Sequence, residues 1–224
     1  MCLILVAWRR HDGHPLVVAA NRDEFHRRPA DAAAWWPDSP GILAGRDRQA
    51  NGTWLGVSRS GRFAAVTNFR GGFAPAAVES RGALVSRFLA GAEPAGAYVD
   101  ALERRKAGYS GFNLLACDGE ELWWLSNRDG GPRRLAPGCY ALGNDLLDSP
   151  DVQPIRERFE RAAASVDPLF ALVAEARILD PTYGTRCSTV VLSGADGRLG
   201  FAERPFDADG ADGTTARYEF RRAA

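Results

Sequence analysis

Six Asp-Gly dipeptides are spread along the 224 residues of this chain and favour an antiparallel fold. Aspartate and glycine tolerate the positive φ angles of tight turns, so Asp-Gly between two short apolar runs is a strong hairpin signal. Three of the dipeptides, beginning at Asp12, Asp118 and Asp196, have an apolar run on each side. The sequence therefore predicts three hairpins, with strands at Leu3–Trp8 and Leu16–Ala20, at Phe112–Cys117 and Leu122–Ser126, and at Cys187–Leu192 and Leu199–Glu203.

The order of the remaining elements excludes a parallel sheet. Further strands are predicted at residues 53–58, 63–69 and 216–220. Helical spacing of apolar residues predicts a helix around Leu84–Leu89, with Ser80 as its N-cap, and further helices at residues 94–106, 154–164 and 168–177. Pairs of helices between groups of strands differ from the strict alternation of a parallel sheet. The pattern predicts an α+β fold with two antiparallel sheets packed face to face and helices outside. A loop at Gly71–Pro75 is too short to separate two cores, so residues 1–224 are expected to form a single domain.

Composition argues against several classes of partner. The chain has 28 Lys and Arg residues and 28 Asp and Glu residues, so its formal charge is +0. It therefore lacks the excess positive charge with which proteins bind nucleic acid or an anionic membrane. No apolar run approaches the roughly 20 residues that span a bilayer, and the apolar start at Met1–Trp8 lacks the basic residues of a signal peptide. No transmembrane segment is expected.

The four cysteines, at positions 2, 117, 139 and 187, are far apart and form no Cys-x-x-Cys pair. This spacing predicts neither a disulfide framework nor a zinc site, and it fits a reducing cytoplasm. His11 and His14 lack a third ligand in the sequence, so we predict no metal site and no cofactor.

Cys2 is the first candidate for chemistry. If Met1 is removed, as we expect before so small a side chain, one residue carries both a thiol and a free α-amine. An unperturbed α-amine has a pKa of about 7.7–8.0, so it can accept the thiol proton near neutral pH. Nucleophile and base would then belong to one residue. The alternative is that Cys2 is a small apolar residue at the start of a buried strand.

Polar residues come directly after the second predicted strand, at Asn21–Glu24. If the first two strands pair across Asp12, the end of the second lies near Cys2. Asp23 could then hold the α-ammonium, and Arg22 could favour the thiolate or bind a substrate carboxylate. Adjacent strand residues point to opposite faces, so Arg22 and Asp23 cannot both face Cys2 unless the chain turns. The alternative is an ordinary turn with a surface ion pair.

The run Asn21–Glu24 resembles the signature of the NRDE family, the family of transport and Golgi organisation protein 2. In this chain the run follows a predicted strand, and the sequence starts with Met1-Cys2. The match is collinear along essentially the whole chain. Its other segments are Asn51–Gly56, Thr67–Arg70, Ser80–Gly82, Gly111–Leu115, Leu142–Asp145, Thr185–Val190 and Glu203–Phe206.

That family resembles the cysteine branch of the N-terminal-nucleophile (Ntn) hydrolases, which includes penicillin V acylase and bile-salt hydrolase. The resemblance implies a four-layer αββα sandwich and assigns roles to individual residues. Cys2 is the implied nucleophile, and Asp23 is the aspartate near its amine. Asn68 and Asn144 are the implied oxyanion or substrate-side asparagines. Arg186 matches an arginine that lies near the thiol and comes late in the acylase sequence. Arg22 stands immediately before Asp23, whereas the first arginine of the acylase pattern comes a few residues before the aspartate.

The resemblance implies hydrolysis of a non-peptide amide or ester bond in a small or lipid-like acylated substrate. The alternative is a non-catalytic carrier for haem or acyl lipids that uses the same pocket. Trp35 and Trp36 could line the mouth of that pocket, although adjacent tryptophans are more often packing residues. His26 could contact substrate. The sequence makes no prediction of the oligomeric state.

Overall fold

The structure is a computed structural model, and it describes residues 2–71 and 79–223. The predicted loop at Gly71–Pro75 lies, beyond Gly71, outside the described residues. The strands are Leu3–His11 (β1), His14–Phe25 (β2), Ala30–Trp36 (β3), Ser39–Asp47 (β4), Leu55–Ser58 (β5), Phe63–Asn68 (β6), Phe112–Cys117 (β7), Leu122–Ser126 (β8), Arg133–Arg134 (β9), Gly138–Leu142 (β10), Tyr183–Ser193 (β11), Arg198–Pro205 (β12) and Ala216–Arg221 (β13). The α-helices are Gly82–Ala90 (α1), Ala95–Glu103 (α2), Gln153–Arg161 (α3) and Val166–Ala174 (α4).

The chain divides into two compact units. The first contains Met1–Pro29, Pro137–Gly143 and Leu147–Arg222, and the second contains Ala30–Ala136, Asn144–Leu146 and Ala223–Ala224. Each unit has its own sheet and its own pair of helices. The prediction of a single domain stays a prediction.

The first unit has a six-stranded antiparallel sheet in the order β10-β1-β2-β11-β12-β13. Alternate residues of its central strands, among them Leu5, Ala19 and Val190, face the helices α3 and α4. Phe159 of α3 and Phe170 of α4 fill the space between sheet and helices. The opposite face of these strands carries the other set of side chains, because strand residues alternate between faces.

The second unit has a seven-stranded antiparallel sheet in which β3 to β9 follow one another in chain order. Helices α1 and α2 bury their apolar faces on it through Leu84, Phe88 and Leu102. This is a meander, and every neighbouring pair of strands is joined by a local connection or by the segment that carries α1 and α2.

All three predicted hairpins are confirmed, as β1–β2, β7–β8 and β11–β12. Glycines after the aspartates have the expected positive φ, 76° at Gly13, 98° at Gly119 and 85° at Gly197. The additional strands and the four helices are also confirmed, with ends displaced by a few residues. Arg81 is the residue directly before α1 and makes no side-chain capping bond, whereas the hydroxyl of the predicted N-cap Ser80 accepts the N–H of Gly82 at 3.2 Å.

Four strands are absent from the prediction, and a fifth is longer than predicted. Strands β3, β4, β9 and β10 were not predicted. Strand β2 continues through Asn21–Glu24 as far as Phe25, because β11 stays paired with it up to the Tyr183–Phe25 pair. The residues predicted to form a strand-ending turn therefore lie within a buried strand.

Two family segments, Asn51–Gly56 and Ser80–Gly82, meet where only glycine fits. A Cβ on Gly52 would lie 2.5 Å from the Gly82 carbonyl carbon and 2.9 Å from the Ala83 nitrogen. Both contacts are with backbone atoms at the start of α1.

We expect Gly52→Ala to lower the free energy of unfolding by roughly 1–3 kcal/mol, because the added methyl group forces backbone atoms apart. Urea denaturation followed by circular dichroism measures this. Gly41→Ala is the control, because a Cβ at Gly41 in β4 meets nothing within 4 Å. Equal stability of Gly52→Ala and the wild type would contradict the close packing.

Candidate active site

The Cys2 thiol lies against the backbone of Asp23. Cys2 immediately precedes β1, which pairs with β2, and the pairing of Leu3 with Asn21 brings the thiol beside the next residues of β2. The Asp23 N–H donates to Cys2 Sγ at 3.3 Å, and the Cys2 thiol donates to the Asp23 carbonyl oxygen at 3.4 Å. The predicted proximity of Cys2 and Asp23 is therefore present, and it is made through the main chain of Asp23.

Burial, together with the negative charge of Asp23, raises the pKa of the Cys2 thiol to about 11. The hydrogen bond from the Asp23 N–H and the positive charge of Arg22 act in the opposite direction and are outweighed. A thiol with this pKa keeps its proton at neutral pH. It can attack a carbonyl only if a base removes that proton, so the site needs a proton acceptor close to Sγ.

This raised pKa predicts the pH dependence of alkylation. In the chain that retains Met1, we expect iodoacetamide to modify Cys2 slowly at pH 7 and about tenfold faster for each pH unit, because the thiolate fraction increases in that proportion below the pKa. The rate should level off only near pH 11. Mass spectrometry of the Cys2 peptide measures the rate, with free cysteine, which levels off near pH 8.5, as the reference. A Cys2 profile that matched free cysteine would contradict the assigned environment.

The Asp23 carboxylate is held by β11. Asp23 is only 4% exposed, and its Oδ1 accepts a hydrogen bond from Thr185 Oγ1 at 2.6 Å. The Tyr183 hydroxyl donates to the Asp23 carbonyl oxygen at 3.2 Å, the same oxygen that accepts the Cys2 thiol. Burial and the nearby Cys2 and Asp23 raise the pKa of Tyr183, so its hydroxyl stays a donor.

Sequence reasoning missed Tyr183 and Thr185, which are about 160 residues from Asp23 in the chain. Both lie at the start of β11, directly before the predicted site residue Arg186. That position within the family segment Thr185–Val190 is the one signal that could have identified Thr185. Nothing in the sequence indicated Tyr183.

Arg22 is buried on the face of the sheet opposite to α4. The Asn21 amide donates to the Val173 carbonyl oxygen in α4, so the side chain of the next residue in the strand lies on the other face. Arg22 pairs with Cys187, and its charge acts on that thiol as well as on Cys2. The side chains of Arg22 and Asp23 therefore point to opposite faces of the sheet, as predicted for a strand that does not turn between them.

Arg186 occupies a β-bulge. Thr185 pairs with Asp23 and Cys187 pairs with Arg22, so Arg186 is the extra residue between them. Bulges redirect the side chain of the extra residue. The Nη1 atom of Arg186 donates to three carbonyl oxygens that follow β2, those of Phe25 at 2.9 Å, His26 at 3.2 Å and Arg28 at 3.1 Å. It holds this segment in place, and a role at the thiol stays a prediction.

Asn68 and Asn144 come together in the second unit. Asn68 ends β6, and its carbonyl oxygen accepts a hydrogen bond of 2.7 Å from Asn144 Nδ2. Asn144 in turn accepts the Arg70 N–H at its own carbonyl oxygen. Asn113, fully buried in β7, donates to the Asp145 carbonyl oxygen at 2.9 Å and holds the segment that contains Asn144. Their assignment as oxyanion donors stays a prediction from the resemblance.

The three residues predicted to contact substrate have packing roles in the structure. Trp36 is buried in the core of the second unit, and its Nε1–H donates to the Ala44 carbonyl oxygen. The Arg59 guanidinium lies 3.8 Å from the Trp35 ring centre. His26 Nε2 lies 3.0 Å from the Asp180 carbonyl oxygen in the first unit. Substrate contact by Trp35, Trp36 and His26 stays a prediction.

Within residues 2–71 and 79–223, no three His, Cys, Asp or Glu side chains are placed to hold a metal ion. No helix in the same part of the chain has both the length and the apolar composition needed to cross a bilayer.

The candidate site combines the Cys2 thiol with the buried Asp23 of the neighbouring strand β2, in an α+β fold of two antiparallel sheets with helices. The structure superposes on a solved Caenorhabditis elegans N-acylethanolamine-hydrolyzing acid amidase (NAAA) ortholog with a TM-score of 0.59. The match covers 85% of this chain and 92% of the amidase at 11% sequence identity, and it confirms the predicted α+β fold class.

The chain belongs to the Transport and Golgi organisation 2 family, whose model matches residues 1–171. It is 34% identical to the Transport and Golgi organization protein 2 homolog of Bos taurus, with 94% of each chain covered. It is 32% identical to the Homo sapiens homolog, with 93% of each chain covered. The resemblance identified from the sequence is thereby confirmed.

Proposed function

We propose that this chain is an Ntn cysteine hydrolase that cleaves a non-peptide amide or ester bond in a small or lipid-like acylated substrate. The observation that carries the proposal is the contact of Cys2 Sγ with Asp23, whose carboxylate is buried and hydrogen-bonded by Thr185. The amidase with the same fold hydrolyses N-acylethanolamines, according to its name, and supports the same class of reaction here.

In the proposed reaction, removal of Met1 frees the α-amine of Cys2 beside its thiol. The amine takes the thiol proton, and sulfur bonds to the substrate carbonyl carbon to give a tetrahedral oxyanion. The resulting ammonium returns the proton to the leaving nitrogen or oxygen as its bond to carbon breaks. Water then attacks the thioester, the carbon–sulfur bond breaks, and the acid and the free thiol are released.

The raised thiol pKa explains why the amine is needed, since Sγ holds its proton at neutral pH. The carboxylate of Asp23 would hold the ammonium form of the amine through charge. For Arg22 and Arg186 we propose support of the site by charge and by fixing the segment after β2. The assignment of Asn68 and Asn144 as oxyanion donors stays a prediction from the resemblance, and one such donor typically contributes 10²–10³ in rate, about 2.7–4 kcal/mol.

Intact-mass spectrometry and a substrate screen test this function. We expect a species without Met1 that gains one acyl group from a thiol-directed acylating probe, and turnover of some members of a panel of acylated amines and esters. Haem titration that gave a Soret shift, in a protein that neither loses Met1 nor accepts an acyl group, would favour the carrier alternative and overturn the proposal.

The proposed location is the reducing cytoplasm. All four cysteines lie in the described part of the chain, and each is a free thiol. Cys117, Cys139 and Cys187 are buried. Reducing conditions would keep the Cys2 thiol free to react, because a disulfide at Sγ would block attack.

A further inference from the structure

We propose that Thr185 is a positioning residue of this site, whose hydroxyl fixes the Asp23 carboxylate in the orientation in which it meets the α-amine of Cys2. The inference rests on the proposed function and adds to it a residue that touches neither substrate nor the reacting atoms. Thr185 acts through Asp23 alone.

The direction of each hydrogen bond at Thr185 is fixed by its neighbours. The Ile178 N–H donates to Thr185 Oγ1 at 2.9 Å, and an N–H cannot accept a proton in return. The hydroxyl therefore has its single proton available for one acceptor, and Asp23 Oδ1 lies at 2.6 Å. The result is a chain of two bonds, from the Ile178 N–H through Oγ1 to the carboxylate, with only one possible direction.

The backbone makes this arrangement rigid. The Thr185 N–H donates to the Ile178 carbonyl oxygen at 3.0 Å, so Ile178 and Thr185 are joined by two hydrogen bonds. The bulge at Arg186 sets the register so that Thr185 pairs directly with Asp23. Thr185 is 2% exposed and Asp23 is 4% exposed, so water does not compete effectively for Oδ1. A hydrogen bond to a charged group is about twice as strong as a neutral one.

The decisive variants separate the effect of the hydroxyl from the effect of side-chain shape. Thr185→Val keeps the shape of the side chain and removes the donor, and we expect the rate of Cys2 acylation by the probe to fall by roughly 10- to 100-fold, as small displacements of catalytic groups do. Thr185→Ser keeps the donor and should retain a rate within about threefold of the wild type. In a steady-state assay the loss should lie in kcat, with KM little changed, because Thr185 does not contact substrate.

A double-mutant cycle separates positioning from a general effect on folding. In the Asp23→Asn background the carboxylate is already absent, so adding Thr185→Val should change the acylation rate by less than about twofold. An effect as large as in the wild-type background would show that Thr185 acts independently of Asp23, and it would overturn the inference.

Ser188 supplies a matched control in the same pair of strands. Its Oγ donates to the Asn21 Oδ1 at 2.6 Å, and Ser188 and Asn21 are each 2% exposed. Ser188→Ala thus removes an equally short, equally buried hydroxyl bond between β11 and β2 that does not end on the carboxylate. We expect it to lower the melting temperature and to leave the acylation rate close to that of the wild type.

The outcomes distinguish failure of the inference from failure of the proposed function. A wild-type protein that accepts no acyl group and turns over no substrate contradicts the proposed function. A wild type that is acylated, with Thr185→Val equally fast, contradicts the positioning role alone. If Thr185→Val does not fold, Thr185→Ala also removes the hydroxyl, and acylation of that variant at the wild-type rate would overturn the inference.

Discussion

Cys2→Ala is expected to lose both hydrolysis and probe acylation while the protein remains folded. The substitution removes the sulfur that contacts Asp23, and a hydrolase without its nucleophile typically loses at least about 10³-fold in turnover. The cost in stability should be small, about 1 kcal/mol, because only the two weak hydrogen bonds between Sγ and the Asp23 main chain disappear. Intact-mass labelling, a substrate assay and thermal unfolding measure the three quantities.

Cys139→Ala is the matched control for loss of a thiol. Cys139 is buried in the helix-facing core of the first unit and has no part in the proposed reaction. We expect that variant to be acylated at Cys2 at the wild-type rate. Full turnover in Cys2→Ala would remove the nucleophile from the proposal, and so would a functional protein in which Met1 is retained, because the α-amine of Cys2 would then be blocked.

Asp23→Asn is the second substitution with a large expected effect. Asparagine has the size of aspartate, and its amide oxygen can still accept the Thr185 hydroxyl, but it carries no negative charge. The main-chain contacts of Asp23 with Cys2 Sγ should persist, since they involve only N–H and C=O. Without the charge that holds the ammonium of Cys2, we expect acylation to slow by roughly 10²-fold, a loss of about 2.7 kcal/mol in transition-state stabilisation.

Asp118→Asn makes the same chemical change at another structured carboxylate. Asp118 accepts backbone N–H bonds from Ala95 at 2.7 Å, Glu120 at 2.9 Å and Glu121 at 2.8 Å, at the β7–β8 hairpin of the second unit. We expect it to reduce thermal stability and to leave acylation unchanged. If Asp23→Asn reacted as fast as Asp118→Asn, the assignment of Asp23 to the amine of Cys2 would be wrong.

The strands that the sequence predicted well are those with local turn chemistry. Asp-Gly at Asp118 gave β7 and β8 with their observed bounds, because a two-strand hairpin depends on residues within a few positions of the turn. Strands β3 and β10 carry no such signal. The sequence of β3 is rich in alanine, a poor strand former, and β10 gains its place only by pairing with β1.

The sequence predicted which residues belong to the candidate site, but it predicted only part of their arrangement in space. Motif similarity selected Cys2 and Asp23, and the structure brings them into contact. It also selected Arg186, whose guanidinium lies on the carbonyl oxygens after β2 because a bulge redirects it. A bulge depends on the register between two strands about 160 residues apart, and local sequence does not encode that register.

The sequence by itself determined the antiparallel class, through Asp-Gly turns between apolar runs, and it supplied the proposed nucleophile, Cys2, through the resemblance to the family. The tertiary structure decided which groups surround that thiol. Pairing of β11 with the extended β2 buries Asp23 and places Thr185 and Tyr183 against it. The physical reason is that turn preferences act over neighbouring residues, whereas burial and hydrogen bonding between distant strands arise only when the sheet is complete.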